Sequence, residues 1–312
     1  MDEIKVNSPS LLGYLRMQKI NFHNITIDKL SLSLLDEKKI KADVLRLDKI
    51  HPLVSGNKWF KLRYYLEDAQ LKGKKTIVTY GGAWSNHLLA TAAACKINNF
   101  SCYGIIRGEE ATTHSPTLIN AKELGMQLIF VSREEYRAGN IPPYLGNDDN
   151  YFIPEGGYGI KGAEGAATIL DYCSKENYSH ICCAAGTGTM TAGLIINSLP
   201  SQKVISISVL KNNFTLEGEI KQLVADKEKS FQLIHDYHFG GYANYKSELI
   251  DFMNQFYRDT AIPSDFVYTG KIFFAITDLI SNNFFPEGSR LLIIHSGGLQ
   301  GNASLRNGTL IF

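Results

Sequence analysis

His180-Ile181-Cys182-Cys183-Ala184-Ala185 runs without a break into Gly186-Thr187-Gly188-Thr189-Met190-Thr191-Ala192-Gly193. The first six residues read as a buried strand, glycine stops it, and the small apolar residues that follow read as a helix ending near Leu199. A strand feeding a helix through a glycine loop is the repeating joint of α/β proteins. Here the glycines let backbone N–H groups approach an anion, the threonine hydroxyls add donors, and the helix N-terminus favours negative charge. A tight strand-to-helix turn without any ligand uses the same residues. A dinucleotide fingerprint fits poorly: Thr191 occupies the third glycine position, no acidic residue ends the next strand through Leu210, and a Walker A lysine is missing. The phosphate that suits the loop belongs to a smaller cofactor.

Working outward, the same joint recurs. Thr76 to Tyr80 is β-rich and is cut off by Gly81-Gly82, after which Ser85 caps a helix over His87 to Ile97. Phe100 to Ile106 and Gln127 to Val131 read as strands around a helix opened by Ser115-Pro116 and closed by Gly125, and Ser132 with Glu135 spells a capping box. Toward the N-terminus, Leu30 to Leu35 and Val44 to Asp48 read as strands, and Trp59, Leu62, Leu66 and Ala69 recur at helical spacing up to Gly73. Downstream, residues 161–176 read as helix, Lys203 to Leu210 and Phe231 to Tyr237 as strands, Lys246 to Arg258 and Gly270 to Ser281 as helices. Arg290 to His295 closes the series as a strand ended by Ser296-Gly297-Gly298. The alternation predicts an α/β fold of open parallel sheets with helices on both faces. It also puts Gly81 to Asn86, Gly186 to Thr189 and Ser296 to Gly298 at the carboxyl edge, where such sheets bind ligands.

With 312 residues, 44% of them hydrophobic, the chain has room for two domains of ordinary size. Lys and Arg total 32 against 31 Asp and Glu, so no global field draws it to nucleic acid or an anionic membrane. Met1 to Leu15 lacks the pattern of a secretory leader, and no run of apolar residues is long enough to span a bilayer, which makes a reducing cytoplasm the expected location. The five cysteines show no CxxC spacing and mostly sit in apolar runs; they read as small buried hydrophobes, and no metal site is expected.

Three polar stretches carry candidate chemistry. In Ser55-Gly56-Asn57-Lys58 a glycine turn sets a lysine at the mouth of a helix, where loss of solvation lowers its pKa and leaves an amine able to attack a carbonyl. A surface lysine on an amphipathic helix has the same sequence. Trp84-Ser85-Asn86-His87 places a hydroxyl, an amide and an imidazole at a helix start, suited to a carboxylate or to plain capping. Tyr242 and Tyr268 each lie next to glycine-containing turns, as ring packers or, beside a ligand, as acid-base groups.

Taken together and in order, these motifs resemble the pyridoxal 5'-phosphate (PLP)-dependent family of 1-aminocyclopropane-1-carboxylate deaminases and D-cysteine desulfhydrases, of the tryptophan-synthase-β-like fold type II. The resemblance runs from about Leu45 to Gly298. It rests on Gly56-Asn57-Lys58, Ser85-Asn86-His87 with Thr91-Ala92-Ala93-Ala94, Pro154-Glu155-Gly156-Gly157, Val267-Tyr268-Thr269-Gly270-Lys271 and His295-Ser296-Gly297-Gly298. It implies a large domain of residues 1–60 and 158–312, a small domain of residues 61–157, and a homodimer. By the same resemblance Lys58 would carry PLP and shuttle the α-proton, with Asn57 beside it. Asn86 would bond the cofactor's phenolic oxygen, Gly186, Thr187, Gly188 and Thr189 would cradle the phosphate, and Ser296 would form the cofactor floor. Ser85 with the amides of Asn86 and His87 would hold the carboxylate of a small amino acid, with Trp84 beside them, and one or both of Tyr242 and Tyr268 would assist proton transfer or ring opening. Thr269 would face the pyridine nitrogen where the deaminases resemble one another in carrying glutamate; a neutral hydroxyl leans toward β-elimination from a D-amino acid. Trp84 stands where better-known members carry glutamine. That substitution keeps open a second class, a non-catalytic α/β module that binds a phosphorylated metabolite.

Overall fold

The computed structural model describes residues 20–224 and 230–312, and numbers of elements below refer to these; Met1 to Leu15 lies outside them. In chain order the strands are β1 (Thr26–Lys29), β2 (Lys41–Arg46), β3 (Thr76–Gly81), β4 (Ser101–Arg107), β5 (Met126–Val131), β6 (Asn150–Ile153), β7 (His180–Ala185), β8 (Lys203–Ser208), β9 (Phe231–Ile234) and β10 (Arg290–His295). The α-helices are α1 (Ser33–Glu37), α2 (Asn57–Leu71), α3 (Asn86–Ile97), α4 (Pro116–Glu123), α5 (Arg133–Ala138), α6 (Ile160–Ala167), α7 (Thr189–Asn197), α8 (Leu216–Leu223), α9 (Ser247–Thr260) and α10 (Thr269–Ser281).

Two sheets form, in the orders β1-β2-β10-β7-β8-β9 and β5-β4-β3-β6. Every pairing is parallel except that of β1 with β2. The central strands of the larger sheet are buried on both sides because successive residues point to opposite faces. Leu292 and Ile294 join Ile181, Cys183 and α6 to α8 in one core, whereas Leu291 and Ile293 join Cys182, Ala184, α1, α9 and α10 in the other. The smaller sheet packs Ile77, Ile106 and Met126 against α2, α3 and α4. Helix α2 is shared: Phe60 lies in the core of the larger sheet, while Leu62, Tyr65 and Leu66 lie in that of the smaller.

The α/β architecture with glycine clusters at the carboxyl edges agrees with the sequence reading, and the Ser132–Glu135 capping box is present. Four of the five cysteines are buried and all are free. Two assignments change. Leu30 to Leu35 is not a strand: β1 lies just before it and takes the pairing with β2, and Leu30, Leu32, Leu34 and Leu35 reach one core through an extended lead into α1. The helix expected over residues 161–176 stops at Ala167 and continues as 3-10 turns, because Thr168 Oγ1 donates to the Gly165 carbonyl and offers the backbone an alternative partner.

Candidate active site

Strand ends from both sheets meet around a cavity of about 490 Å³, a volume suited to a small ligand. The start of α2 supplies Asn57, Lys58 and Lys61, the loop after β3 supplies Gly82 to His87, the loop after β7 supplies Gly186 to Gly188, and the end of β10 supplies Ser296 to Gly298. Tyr242 and Tyr268 line it as well, their rings edge to face with centroids 6.3 Å apart. Of the residues given a catalytic, cofactor or substrate role in the sequence reading, Thr189 and Thr269 are absent from the lining; both are fully buried.

Gly56 explains how Lys58 gets there. Its φ of +63° turns the chain so that the Asn57 N–H donates to the Ser296 carbonyl at 3.1 Å. A Cβ at Gly56 would stand 1.9 Å from that carbonyl oxygen. Two motifs separated by most of the sequence therefore touch backbone to backbone. Lys58 Nζ donates to Asn57 Oδ1 at 2.8 Å and lies 5.7 Å from the centre of the Tyr268 ring. Loss of hydration brings its pKa from 10.5 down to about 8, against the opposing pull of the buried Asp265 carboxylate. At pH 7 roughly a tenth of such an amine is free, against roughly three in ten thousand for an ordinary lysine. The rate at which protein stripped of cofactor captures an aldehyde at this lysine should accordingly rise with pH through a midpoint near 8, measured by stopped-flow absorption; a midpoint above 10 would contradict the assigned environment.

Lys61, three residues on and on the same helix face, was missed in the sequence reading. Its Nζ donates to the Gly156 carbonyl at 3.2 Å and to Thr187 Oγ1 at 3.3 Å, which ties the phosphate-type loop to the Pro154–Gly157 motif. Burial, then the neighbouring Lys58 charge, holds its pKa well below the usual lysine value. The i, i+3 spacing from Lys58 was the available signal. Glu155, from the Pro154–Gly157 motif, also lines the cavity, as does Arg107, which only its position at a strand end could have marked.

At the opposite wall, Ser85 caps α3 by accepting from the Leu88 N–H at 3.4 Å. Thr79 gives its one hydroxyl proton to the Ile153 carbonyl at 2.8 Å, so His87 Nε2, 2.8 Å from the same oxygen, must carry the imidazole hydrogen. His87 is thus neutral, its pKa lowered to about 3 by burial and then by Lys58 and Lys61, and Nδ1 is left as a buried acceptor without a partner. Asn86 Oδ1 is likewise buried and unpartnered. Trp84, 43% exposed, stands at the mouth.

Thr269 does not open into the cavity. Its hydroxyl donates to Asp265 Oδ1 at 2.7 Å and accepts from the Asp265 N–H at 2.6 Å. Asp265 also accepts from the N–H groups of Val267, Tyr268 and Thr269 at 3.0, 2.9 and 2.9 Å, which fixes the start of α10 and the Tyr268 backbone. Thr189 turns its hydroxyl to Thr187 Oγ1 at 3.0 Å. The Tyr268 phenol is held well above its usual pKa by burial and then by the Tyr242 and Asp265 charges.

A phosphorylated aldehyde fits this set of groups: a glycine-threonine loop backed by a buried lysine for the phosphate and a second lysine with a lowered pKa for the carbonyl. Residues 31–297 match the family model described as pyridoxal-phosphate dependent enzyme. A Thermotoga maritima protein provisionally named 1-aminocyclopropane-1-carboxylate deaminase is 31% identical over 79% of this chain and 85% of its own length. A Pyrococcus horikoshii protein given the same provisional name is 28% identical over 85% and 87%. Among solved structures, one described as an ACC deaminase homologue superposes with a TM-score of 0.77 at 25% identity, covering 95% of this chain and 96% of the other. The fold is that of tryptophan-synthase-β-like, fold type II enzymes. With its α/β sheets, its paired lysines and its glycine-threonine loop, the chain belongs to the pyridoxal-phosphate dependent enzyme family.

Proposed function

We propose that the chain is a lyase or deaminase that releases ammonia and a 2-oxo acid from a small amino acid, with β-elimination of the D-cysteine desulfhydrase type ahead of 1-aminocyclopropane-1-carboxylate opening. The observation that carries the reading is the Lys58 amine, with its pKa of about 8, in one cavity with the Ser85–His87 helix start. Bound there, PLP supplies an electron sink that makes the substrate α-proton acidic.

The chain's own groups do the rest. Lys58 takes the α-proton, and Tyr268, whose ring faces its amine, keeps it in place. The Ser85 hydroxyl and the backbone N–H groups of Asn86 and His87 hold the substrate carboxylate at the start of α3, where the helix dipole favours a negative group. Asn86 also serves the cofactor's phenolic oxygen, Asn57 orients Lys58, and Gly186 to Thr189 with Lys61 hold the phosphate. Ser296 forms the floor, and Tyr242 is the second acid-base group. The preference for β-elimination rests on residue type alone: Thr269 stands where the deaminases carry glutamate, and its hydroxyl is bound to Asp265 behind the cavity wall.

Residues 1–60 with 158–312 as a large domain, residues 61–157 as a small one, a homodimer and a cytoplasmic setting complete the reading. The test is to supply purified protein with PLP and a panel of D- and L-amino acids, including 1-aminocyclopropane-1-carboxylate, and to assay 2-oxo acid and sulfide. Sulfide and pyruvate from D-cysteine are expected. Turnover of the cyclopropane without sulfide release would reverse the order, and PLP binding with no ammonia from any member would favour a non-catalytic module. Replacing Lys61 by alanine should weaken PLP affinity about 10- to 100-fold, since charge-assisted hydrogen bonds contribute about 1.5–3 kcal/mol. Pyridoxal, which lacks the phosphate, should bind the variant and the parent alike by fluorescence titration.

A further inference from the structure

Beside the cavity lies an open annex lined by Arg107, Arg133, Arg137, Tyr136 and Glu155. It adjoins the main cavity, because Arg107 and Glu155 line both. The topology of the smaller sheet builds it. Arg107 ends β4 and pairs with Val131 at the end of β5; Ser132 caps α5, whose first residue is Arg133, and Arg137 follows one helical turn later on the same face. Glu155 follows β6, and Gly82 follows β3, so all of these leave the same carboxyl edge of one parallel sheet.

The Arg107 guanidinium carbon stands 5.5 Å from the centre of the Tyr136 ring, and its Nη2 is 3.4 Å from where a Cβ on Gly82 would be. This exposed side chain therefore lies beside the turn that leads into Ser85 and Asn86. Among the described residues, Arg107, Arg133 and Arg137 form no ion pair, and neither does Glu155. Three exposed arginines thus line an annex that holds one carboxylate. In the reading above, the cofactor phosphate is matched by Lys61 and its loop and the substrate α-carboxylate by Ser85 to His87. Arg107 is left for a third negative group. A planar, permanently charged fork suits a carboxylate, sulfonate or phosphate better than any neutral side chain.

We infer that the site takes an amino acid carrying an anionic group on its β-carbon ahead of neutral members of the class such as cysteine, recognised by Arg107 with Arg133 and Arg137 in the same annex; this rests on the lyase reading. For O-phosphoserine the step balances as follows. The Cα–H proton passes to Lys58, its electron pair becomes the Cα=Cβ bond, and the Cβ–O bond breaks with phosphate leaving. One water then converts the released 2-aminoacrylate to pyruvate and ammonia. Cysteate follows the same course, with the Cβ–S bond breaking and sulfite leaving.

Binding and turnover test this separately. In Lys58→Ala protein supplied with PLP, where proton transfer is blocked, calorimetry should show O-phosphoserine or cysteate, of one hand or the other, binding at least tenfold more tightly than serine of the same hand. Adding Arg107→Gln should bring that ratio to near 1. In the parent enzyme the kcat/KM ratio of the anionic to the neutral member should exceed 10 and collapse in Arg107→Gln. Equal binding of anionic and neutral members, or a ratio that survives Arg107→Gln, would overturn the inference. Turnover confined to neutral amino acids would overturn it while leaving the lyase reading intact. The absence of a Lys58-dependent visible band in PLP-loaded protein would count against the lyase reading itself, whereas the calorimetric ratio reports on the arginines regardless.

Discussion

Replacing Lys58 by alanine should abolish the visible absorption of the PLP-loaded protein and cut ammonia release by at least about 10²–10⁴-fold, the range lost when a positioned proton-transfer group is removed. Lys61 should not rescue the variant, although it is one helical turn away, because its amine is committed to the Gly156 carbonyl and Thr187. The loss should not come from misfolding. A partly desolvated cation contributes nothing favourable to the core, so the thermal midpoint of the cofactor-free variant should equal or exceed that of the cofactor-free parent. Measured together, an unchanged or higher midpoint with no visible band and no turnover identifies the lysine as chemical. Retention of the band would move the reactive amine elsewhere.

The second large effect is expected at Gly56. Alanine there meets two obstacles: a φ of +63° with ψ of −140°, a region almost confined to glycine, and a backbone oxygen 1.9 Å from the new Cβ. The conformation alone costs about 1–3 kcal/mol, and the contact cannot be relieved without separating Asn57 from Ser296. Gly73 is the matched control. Its φ is +65°, yet a Cβ there meets nothing within 4 Å, so Gly73→Ala should cost about 1 kcal/mol and leave PLP binding alone. Gly56→Ala should either fail to accumulate as folded protein or lose both several degrees of thermal midpoint and its PLP occupancy. Equal behaviour of the two variants in thermal melts would remove the argument for the close contact.

How far the sequence could carry this depended on the kind of contact. Strand runs such as Thr76 to Tyr80 and Arg290 to His295 are legible because burial on both faces demands continuous apolar residues. Ser85 and the Ser132–Glu135 pair are legible because capping is local. The contact of Gly56 with Ser296 is not, since nothing in either motif specifies a partner so far away along the chain. Lys61, Arg107 and Asp265 were passed over for a related reason. Each gains its meaning from burial or from a neighbour on another element. Thr269 shows the converse error: its position beside Tyr268 suggested an open hydroxyl, but a carboxylate four residues earlier, across one turn of backbone, had already engaged it.

Helix α2 has its flanks in two different cores, Phe60 in one and Leu62, Tyr65 and Leu66 in the other. In mechanical terms its placement is that of an axle. Were the smaller sheet to turn against the larger about this helix, displacement would grow with distance from the axis, so a group at its root would stay nearly still while strand ends farther out swept an arc. Lys58 lies at that root, with its turn fastened to Ser296 on the larger sheet, and Ser85 and Arg107 follow strands of the smaller one.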